Sequence, residues 1–270
     1  MADPAKIAEH VKDADSFVLP FQTHISIPQP FESIGLHLTK FMVLELVAAA
    51  LMLLIFIPLA YRIRKGDIPR GRFWNMFEVM LLFVRDKMVR PAIGHHDANR
   101  FLPFIWTLFF FILFCNLLGL VPWAGSPTGD FAVTSALALI ACVTVIGSGM
   151  RRFGAVKFWT GLCPQMDLAW PLKIVLVPMI LFIEIFGLFI KHTILAVRLL
   201  ANMFAGHLVL AVIMAFITDF AATYYWYGIM PASVLGGTAL NMLELLVAFI
   251  QAYIFAFLTA LFIGMAVHQH

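Results

Sequence analysis

Residues 184–207 read EIFGLFIKHTILAVRLLANMFAGH, a stretch apolar enough for lipid that nevertheless carries Glu184, Lys191, His192, Arg198, Asn202 and His207. Arg198 is flanked by LAV and LLA. A guanidinium keeps its proton in proteins, so it cannot escape burial by becoming neutral. Such a group can hold an anion or bar the passage of protons, but it cannot relay them. Glu184, Lys191 and Arg198 are spaced by sevens, and each step of seven turns a helical side chain by only about −20°. The three form one stripe, with Asn202 close to the same face. His207 lies nine residues beyond Arg198, about half a turn round and roughly 13 Å further along the axis. A second run, NMLELLVAFIQ, brings Asn241, Glu244 and Gln251 near one face of another helix. Glu244 is costly against lipid and must turn inward. Antiparallel neighbours would set His207 and Glu244 at similar depth. An imidazole and a carboxylate so placed are the ingredients of a proton relay.

The elements that position these groups are helices. Of 270 residues, 62% are hydrophobic and 12% charged, with mean hydropathy +0.94. Several apolar runs exceed the roughly 20 residues a helical crossing needs. The strand alternation of an outer-membrane barrel is absent from the sequence. A first span is expected over 38–61, ended by the basic run Arg62, Arg64, Lys65, Arg70 and Arg72. Those charges place that end in the cytoplasm or matrix and the N-terminus outside. Residues 73–92 alternate apolar and charged at helical spacing, with Phe73, Met76, Phe77, Met80, Leu81 and Val84 on one face. They predict an interfacial helix. A helical hairpin follows, 101–121 and 131–150, around an outer turn containing Pro122, Gly125, Pro127 and Gly129. Arg151, Arg152 and Lys157 return the chain to the cytoplasmic side, where 151–171 reads as a loop. Residues 172–217 could form one steeply tilted helix or a hairpin broken at Lys191-His192-Thr193. That triplet has no Gly or Pro to turn the chain, which favours one helix. The last helix runs over 231–267. Residues 1–36, with four prolines, read as a separate outer-side segment, loose or carrying a short amphipathic helix.

Other chemistries fit poorly. The net charge of +3 is small and the basic residues cluster at span ends, which argues against nucleic acid. Cys115, Cys142 and Cys163 lack ligand-like spacing. His95-His96-Asp97 follows Pro91 and Gly94 and reads as a solvated loop. His268 and His270 read as tail residues. No metal or other cofactor is expected. The polar start of the chain does not read as a secretory signal. A stand-alone ion transporter or channel would be expected to show repeat symmetry or broken helices at its charges. An intramembrane protease would need a Ser–His pair, paired aspartates or HExxH.

RLLANMFAGH (198–207), EIFGLFIKHTILAV (184–197), NLLGLVP (116–122), DFAVTSALAL (130–139) and QAYIFAFL (251–258) resemble subunit a of the rotary F-type ATP synthase, its membrane stator. The resemblance extends in span order along about 40–267. It implies an all-α integral membrane protein whose two long tilted C-terminal helices face a ring of proteolipid subunits. It also implies peripheral-stalk b-type partners and the remainder of the synthase, in a bacterial inner or mitochondrial inner membrane. Arg198 matches the family's essential arginine. Asn202 and Gln251 match its polar neighbours, and His207 and Glu244 match the pair lining the outer half-channel, in the reverse of the order found in many bacterial relatives; Asn202, Gln251 and Asn116 are assigned to that half-channel with them, Asn116 either facing it or satisfying a helix backbone. Glu184, Lys191 and His192 are assigned to the inner half-channel. Where some relatives carry an aspartate, this chain has Gly119. The resemblance implies no covalent chemistry by the subunit itself.

Overall fold

Among the described residues, five helices are long and apolar enough to cross a bilayer. They belong to a computed structural model that describes residues 16–19, 23–26, 39–65, 71–121, 125–161, 170–221 and 223–268. Helix α1 (Lys40–Arg64) starts where Thr39 caps it, its hydroxyl accepting from the Met42 N–H at 3.5 Å. It ends in Arg62 and Arg64, the charge that suits a helix C-terminus.

The interfacial stretch is helical throughout but not uniform. Helix α2 (Arg72–Phe83) passes into a π-helical segment, Val84–Val89, and then α3 (Arg90–Ile93). Phe77, Val84, Met88, Val89 and Ile93 are buried, whereas Phe73 and Met76 are exposed. The face that the spacing suggested is packed from Phe77 through Met80 and Leu81 to Val84 and exposed at its first two positions, and beyond it the π-helical segment changes the register, so that Met88 and Val89 continue the buried side. Asp86 receives a bidentate pair from Arg85, Nε to Oδ1 at 3.0 Å and Nη2 to Oδ2 at 3.1 Å, and a further bond from Arg90 at 2.6 Å. The Arg85 hydrogen bonds first, then the charges of Arg85 and Arg90, hold the Asp86 carboxyl below the ordinary carboxylate range. The Trp106 indole N–H donates to the Leu81 carbonyl at 3.0 Å.

Helix α4 (Ala98–Gly119) and α5 (Phe131–Phe153) form the expected hairpin, joined through the 3₁₀ turn Pro127–Gly129. The stretch expected as a loop after α5 instead contains a short helix, α6 (Ala155–Gly161). Its Phe158 is buried in space left open by Gly149, where a Cβ would overlap the ring. Helix α7 (Trp170–Asp219) is one unbroken element of 50 residues, about 75 Å long. Lys191-His192-Thr193 does not break it, since no Gly or Pro interrupts the backbone there, and His192 Nδ1 donates to the Leu188 carbonyl at 2.8 Å and Thr193 Oγ1 to the Phe189 carbonyl at 3.0 Å. Helix α8 (Trp226–Val267) has 42 residues. Within 1–36 the described backbone is a two-stranded antiparallel hairpin, not a helix. Strand β1 (Ser16–Leu19) pairs with β2 (Thr23–Ser26), Ser16 opposite Ser26. Phe17, Val18, Thr23 and Ile25 supply its β-branched and aromatic content, a signal overshadowed by the surrounding prolines and charges. The rest of that segment lies outside the described residues.

Two compact units account for the contacts. The first gathers the described residues of Met1–Pro69, Phe110–Thr134 and Arg198–Ala252. Its core includes Leu44, Ala48, Phe110, Leu113, Leu199 and Met203, with the Phe56 and Phe110 rings 4.5 Å apart. The second gathers those of Arg70–Phe109, Ser135–Val197 and Tyr253–His270. There Ile105, Val145, Phe158 and Ile263 are buried. Along α8 a seam of small residues is wholly buried: Ala248, Ala252, Ala256, Ala260 and Gly264, each four residues from the last. Small residues at this spacing let helix backbones approach closely. At Gly264 a Cβ would overlap the Ala92 carbonyl oxygen and stand 3.3 Å from Ile93 Cα.

Gly264→Ala is expected to destabilise the protein by about 1–3 kcal/mol, since the obstacle is backbone and cannot swing away. The midpoint of thermal unfolding in detergent checks this, with Gly147→Ala as a control because a Cβ there meets nothing within 4 Å. The Asp86 carboxyl has a depressed folded pKa, so its contribution is present above the ordinary carboxylate range and is lost as pH falls through the folded value. Amide protection in 84–93 is therefore expected to hold from neutral to weakly acidic pH and to fall only in stronger acid. Hydrogen exchange across that range reads the outcome.

Candidate functional site

The small-residue seam of α8 contains one large exception, and it is ionisable. Glu244 stands four residues before Ala248 on the same buried line and is 7% exposed. Both its carboxylate oxygens are buried with no hydrogen-bond partner in the protein. Room for it comes from Gly206 on α7: a Cβ there would overlap Glu244 Oε1 and stand 2.9 Å from Cδ. The helices thus meet with the carboxyl over the Gly206 backbone, one residue before His207. His207 is half-buried and its Nε2 also lacks a partner. The common depth expected for His207 and Glu244 is what this packing provides. Burying an unpaired carboxylate is expensive, far more so than burying its protonated form. A position of this kind suits a group that takes up and releases a proton.

Arg198 is exposed, while Leu195, Ala196, Leu199 and Met203 occupy the buried side of α7. Around Arg198 the exposed side carries Ile194, Val197, Ala201, Phe204 and Ala205. In the most apolar stretch of α7 only 6% of residues are buried, against 44% in α8 and 50% in α4. Helix α7 is therefore the span whose surface this chain covers least. Asn202 is half-buried one turn from Arg198. Gln251 is half-buried, and Asn241 is exposed rather than sharing the Glu244 face.

Asn116 is fully buried and makes a chain the sequence did not reveal. Its Nδ2 donates to the Ala248 carbonyl at 3.3 Å, and its Oδ1 accepts from Thr128 Oγ1 at 2.7 Å. Ser126 Oγ lies 2.8 Å from Thr128 Oγ1. With the Thr128 proton committed to Asn116, Ser126 is the donor. Ser126 and Thr128 are buried, and the chain ends on Ala248, one helical turn from Glu244. The SPTG sequence looks like ordinary turn chemistry, so its hydroxyls gave no sign of this role. Gly119 faces the same turn: a Cβ would stand 2.5 Å from Ser126 Cβ. The aspartate of some relatives would need a different turn.

In the second unit Lys191 Nζ is 3.9 Å from Glu184 Oε1, and both side chains are nearly half exposed. Such a pair contributes little to stability. His192 is buried rather than on the Lys191 stripe, its ring 5.2 Å from that of Phe262 and its Nε2 unpartnered. The 95–97 stretch is not simply solvated. Asp97 is largely buried, 3.4 Å from Arg152 Nη1, 3.6 Å from His96 and 4.0 Å from His268. His268 is no free tail residue, because its Nε2 donates to the Ile93 carbonyl at 2.8 Å. Among the described residues no three His, Cys, Asp or Glu side chains form a metal-binding group. Cys115 and Cys142 are buried free thiols, and Cys163 lies outside the described residues.

Thr128→Val keeps shape but strands the buried Asn116 oxygen. It is expected to cost about 1–3 kcal/mol, whereas Thr128→Ser retains most of the stability. Thermal unfolding of the two variants in detergent separates these outcomes.

Comparison with known proteins agrees with this architecture. The family model for the ATP synthase A chain matches residues 42–264. A protein of Myxococcus xanthus named ATP synthase subunit a is 40% identical over 244 residues, covering 88% of this chain and 76% of that protein. One of Chloroherpeton thalassium, named likewise, is 39% identical and covers 98% and 78%. A third, from Anaeromyxobacter sp., is 38% identical over 97% of this chain, which spans 62% of that protein's length. With five membrane-length helices in the order expected and a family match over most of its length, the chain belongs to the ATP synthase A chain family.

Proposed function

We propose that this chain is the stator subunit of the membrane sector of a rotary ATP synthase. The reading rests on one placement: Arg198 is exposed on the least-covered span, among small and apolar residues, while the buried side of α7 packs inward. A permanent cation on an apolar helical surface calls for a partner that brings an anion to it. A ring of proteolipids whose carboxylates pass one at a time is such a partner. Ala201 and Ala205 beside Arg198 leave room for its close approach. The ionised ring carboxylate is favoured while it faces Arg198, by attraction in a low dielectric. Because guanidinium cannot release its proton, the same group prevents protons from short-circuiting the two sides.

Asn116, Asn202, His207, Glu244 and Gln251 line the route from the outer side, with Glu244 and His207 as its proton carriers. Glu184, Lys191 and His192 belong to the route on the inner side. Peripheral-stalk b-type subunits hold the chain against the torque, and the subunit performs no covalent chemistry itself. Residues 37–270 form the membrane domain and 1–36 an outer-side segment, with the C-terminus in the cytoplasm or matrix. Helix α7, at more than twice the roughly 30 Å hydrocarbon thickness, lies steeply tilted.

Arg198→Ala in the assembled complex is expected to abolish ATP synthesis under an imposed proton gradient while passive proton flux is retained or raised. A lost ion pair of about 4 kcal/mol corresponds to about a thousandfold. Arg198→Lys is expected to be nearly as damaging, since a buried lysine can deprotonate. Near-normal synthesis by a fully assembled Arg198→Ala complex would sink the assignment.

A further inference from the structure

One histidine outside the proposed proton routes is built firmly into the fold. His268 follows the last turn of α8, and its backbone N–H still bonds the Gly264 carbonyl at 3.0 Å, so its side chain leaves on the Gly264 face of the helix. That face lies against the chain between α3 and α4. Gly264 meets the Ala92 carbonyl with no room for a Cβ. One turn further, His268 Nε2 donates to the Ile93 carbonyl at 2.8 Å. Ile93 ends α3, where helix carbonyls lack partners within the helix, and an imidazole is among the side chains suited to them. Gly94, with φ +90°, turns the chain at this point, and a Cβ on it would stand 3.7 Å from His268 Nε2. The same nitrogen is 4.0 Å from Asp97 Oδ2, while Asp97 Oδ1 is 3.4 Å from Arg152 Nη1 on α5 and 3.6 Å from His96 Nδ1. His268 therefore ties the end of α8 to α3, to the residue before α4 and, through Asp97, to α5.

The ring of Phe262 lies on the stretch of α8 held in this way. It is buried six residues before His268, about 9 Å along the axis. The His192 ring is 5.2 Å from it, and Lys191 Nζ is 6.0 Å from its centroid. Two groups of the proposed inner route thus lean on one ring, and a shift of the end of α8 moves what they lean on. All of these residues belong to the second unit. We infer that His268 is a positioning residue of the inner proton route: its bond to the Ile93 carbonyl fixes the last turns of α8, and with them the Phe262 ring against which Lys191 and His192 are set. The inference rests on the proposed stator function.

The test uses the whole synthase in liposomes, with ATP synthesis measured per assembled complex while the inner and outer pH are stepped separately. His268→Leu keeps bulk and loses the donor. It is expected to lower synthesis about two- to fivefold, the shift in balance that one lost hydrogen bond produces. The deficit is expected to narrow as the inner pH rises, because proton release to that side becomes the slow step, and to stay constant as the outer pH is changed. His268→Gln, which retains an N–H donor, is expected to keep most of the parent rate. An assembled His268→Leu complex with the parent rate overturns the inference. So does a deficit indifferent to inner pH, or a His268→Gln complex as impaired as the leucine variant. His268→Ala is read in the same way if the leucine variant does not assemble. Failure of both to assemble, with the glutamine variant intact, assigns His268 to structure alone and also overturns it. Absence of proton-driven synthesis in the unaltered complex would instead overturn the stator function, so the two failures are distinguishable.

Discussion

Close approach of helix backbones is the constraint on which the rest of this molecule depends. Helices in lipid gain little from burying apolar surface against one another, so their association rests on packing and on the few polar contacts available. Helix α8 meets that requirement with a residue no larger than alanine at each fourth position from Ala248 to Gly264. In the second unit the gain is visible where Gly264 lies against the backbone of α3. In the first unit the same seam delivers something else. It brings α8 near enough to Gly206 of α7 that a carboxyl group occupies the place of a side chain.

The polar groups follow a consistent division. Those that hold the fold are satisfied: Thr193 and His192 Nδ1 bond one turn back along α7, and Thr128, Ser126 and Asn116 satisfy one another and the Ala248 carbonyl. Unsatisfied buried side-chain atoms among the described residues are confined to His192, His207 and Glu244. Buried polar groups without partners are costly and are retained where a task needs them. That contrast sets Glu244 and His207 apart from His268, whose Nε2 is bonded to the Ile93 carbonyl, and from His192, which keeps one bonded nitrogen beside its unpartnered one.

Much of this was legible in the sequence for physical reasons. A span is set by length and hydropathy, so α1, α4, α5 and α8 fall within a few residues of expectation. The unbroken α7 followed from the absence of Gly or Pro at 191–193. Arg198 declared itself because a permanent charge has no neutral form. What stayed hidden depended on partners distant in sequence. Phe158 is held by Gly149 in a stretch that reads as loop, the 3₁₀ turn supplies hydroxyls to Asn116, and His268 looks like a tail residue until the Ile93 carbonyl is seen beside it. The β1–β2 hairpin was masked by polar composition. The π-helical segment changes the register after Phe83, and no periodicity argument anticipates a change of period.

Gly206 and Glu244 share a single volume, and this couples their evolutionary fates. A methyl group can enter at 206 only if the Glu244 side chain swings aside or shortens or the helices move apart, and each of these displaces the buried carboxyl. Substitutions at the two sites therefore cannot combine additively. The same holds in reverse, because shortening Glu244 would open a cavity that only a larger residue at 206 could fill. A change at either position therefore shifts the carboxyl from its present place unless the other position changes with it. The two sites are 38 residues apart in sequence and one contact apart in space.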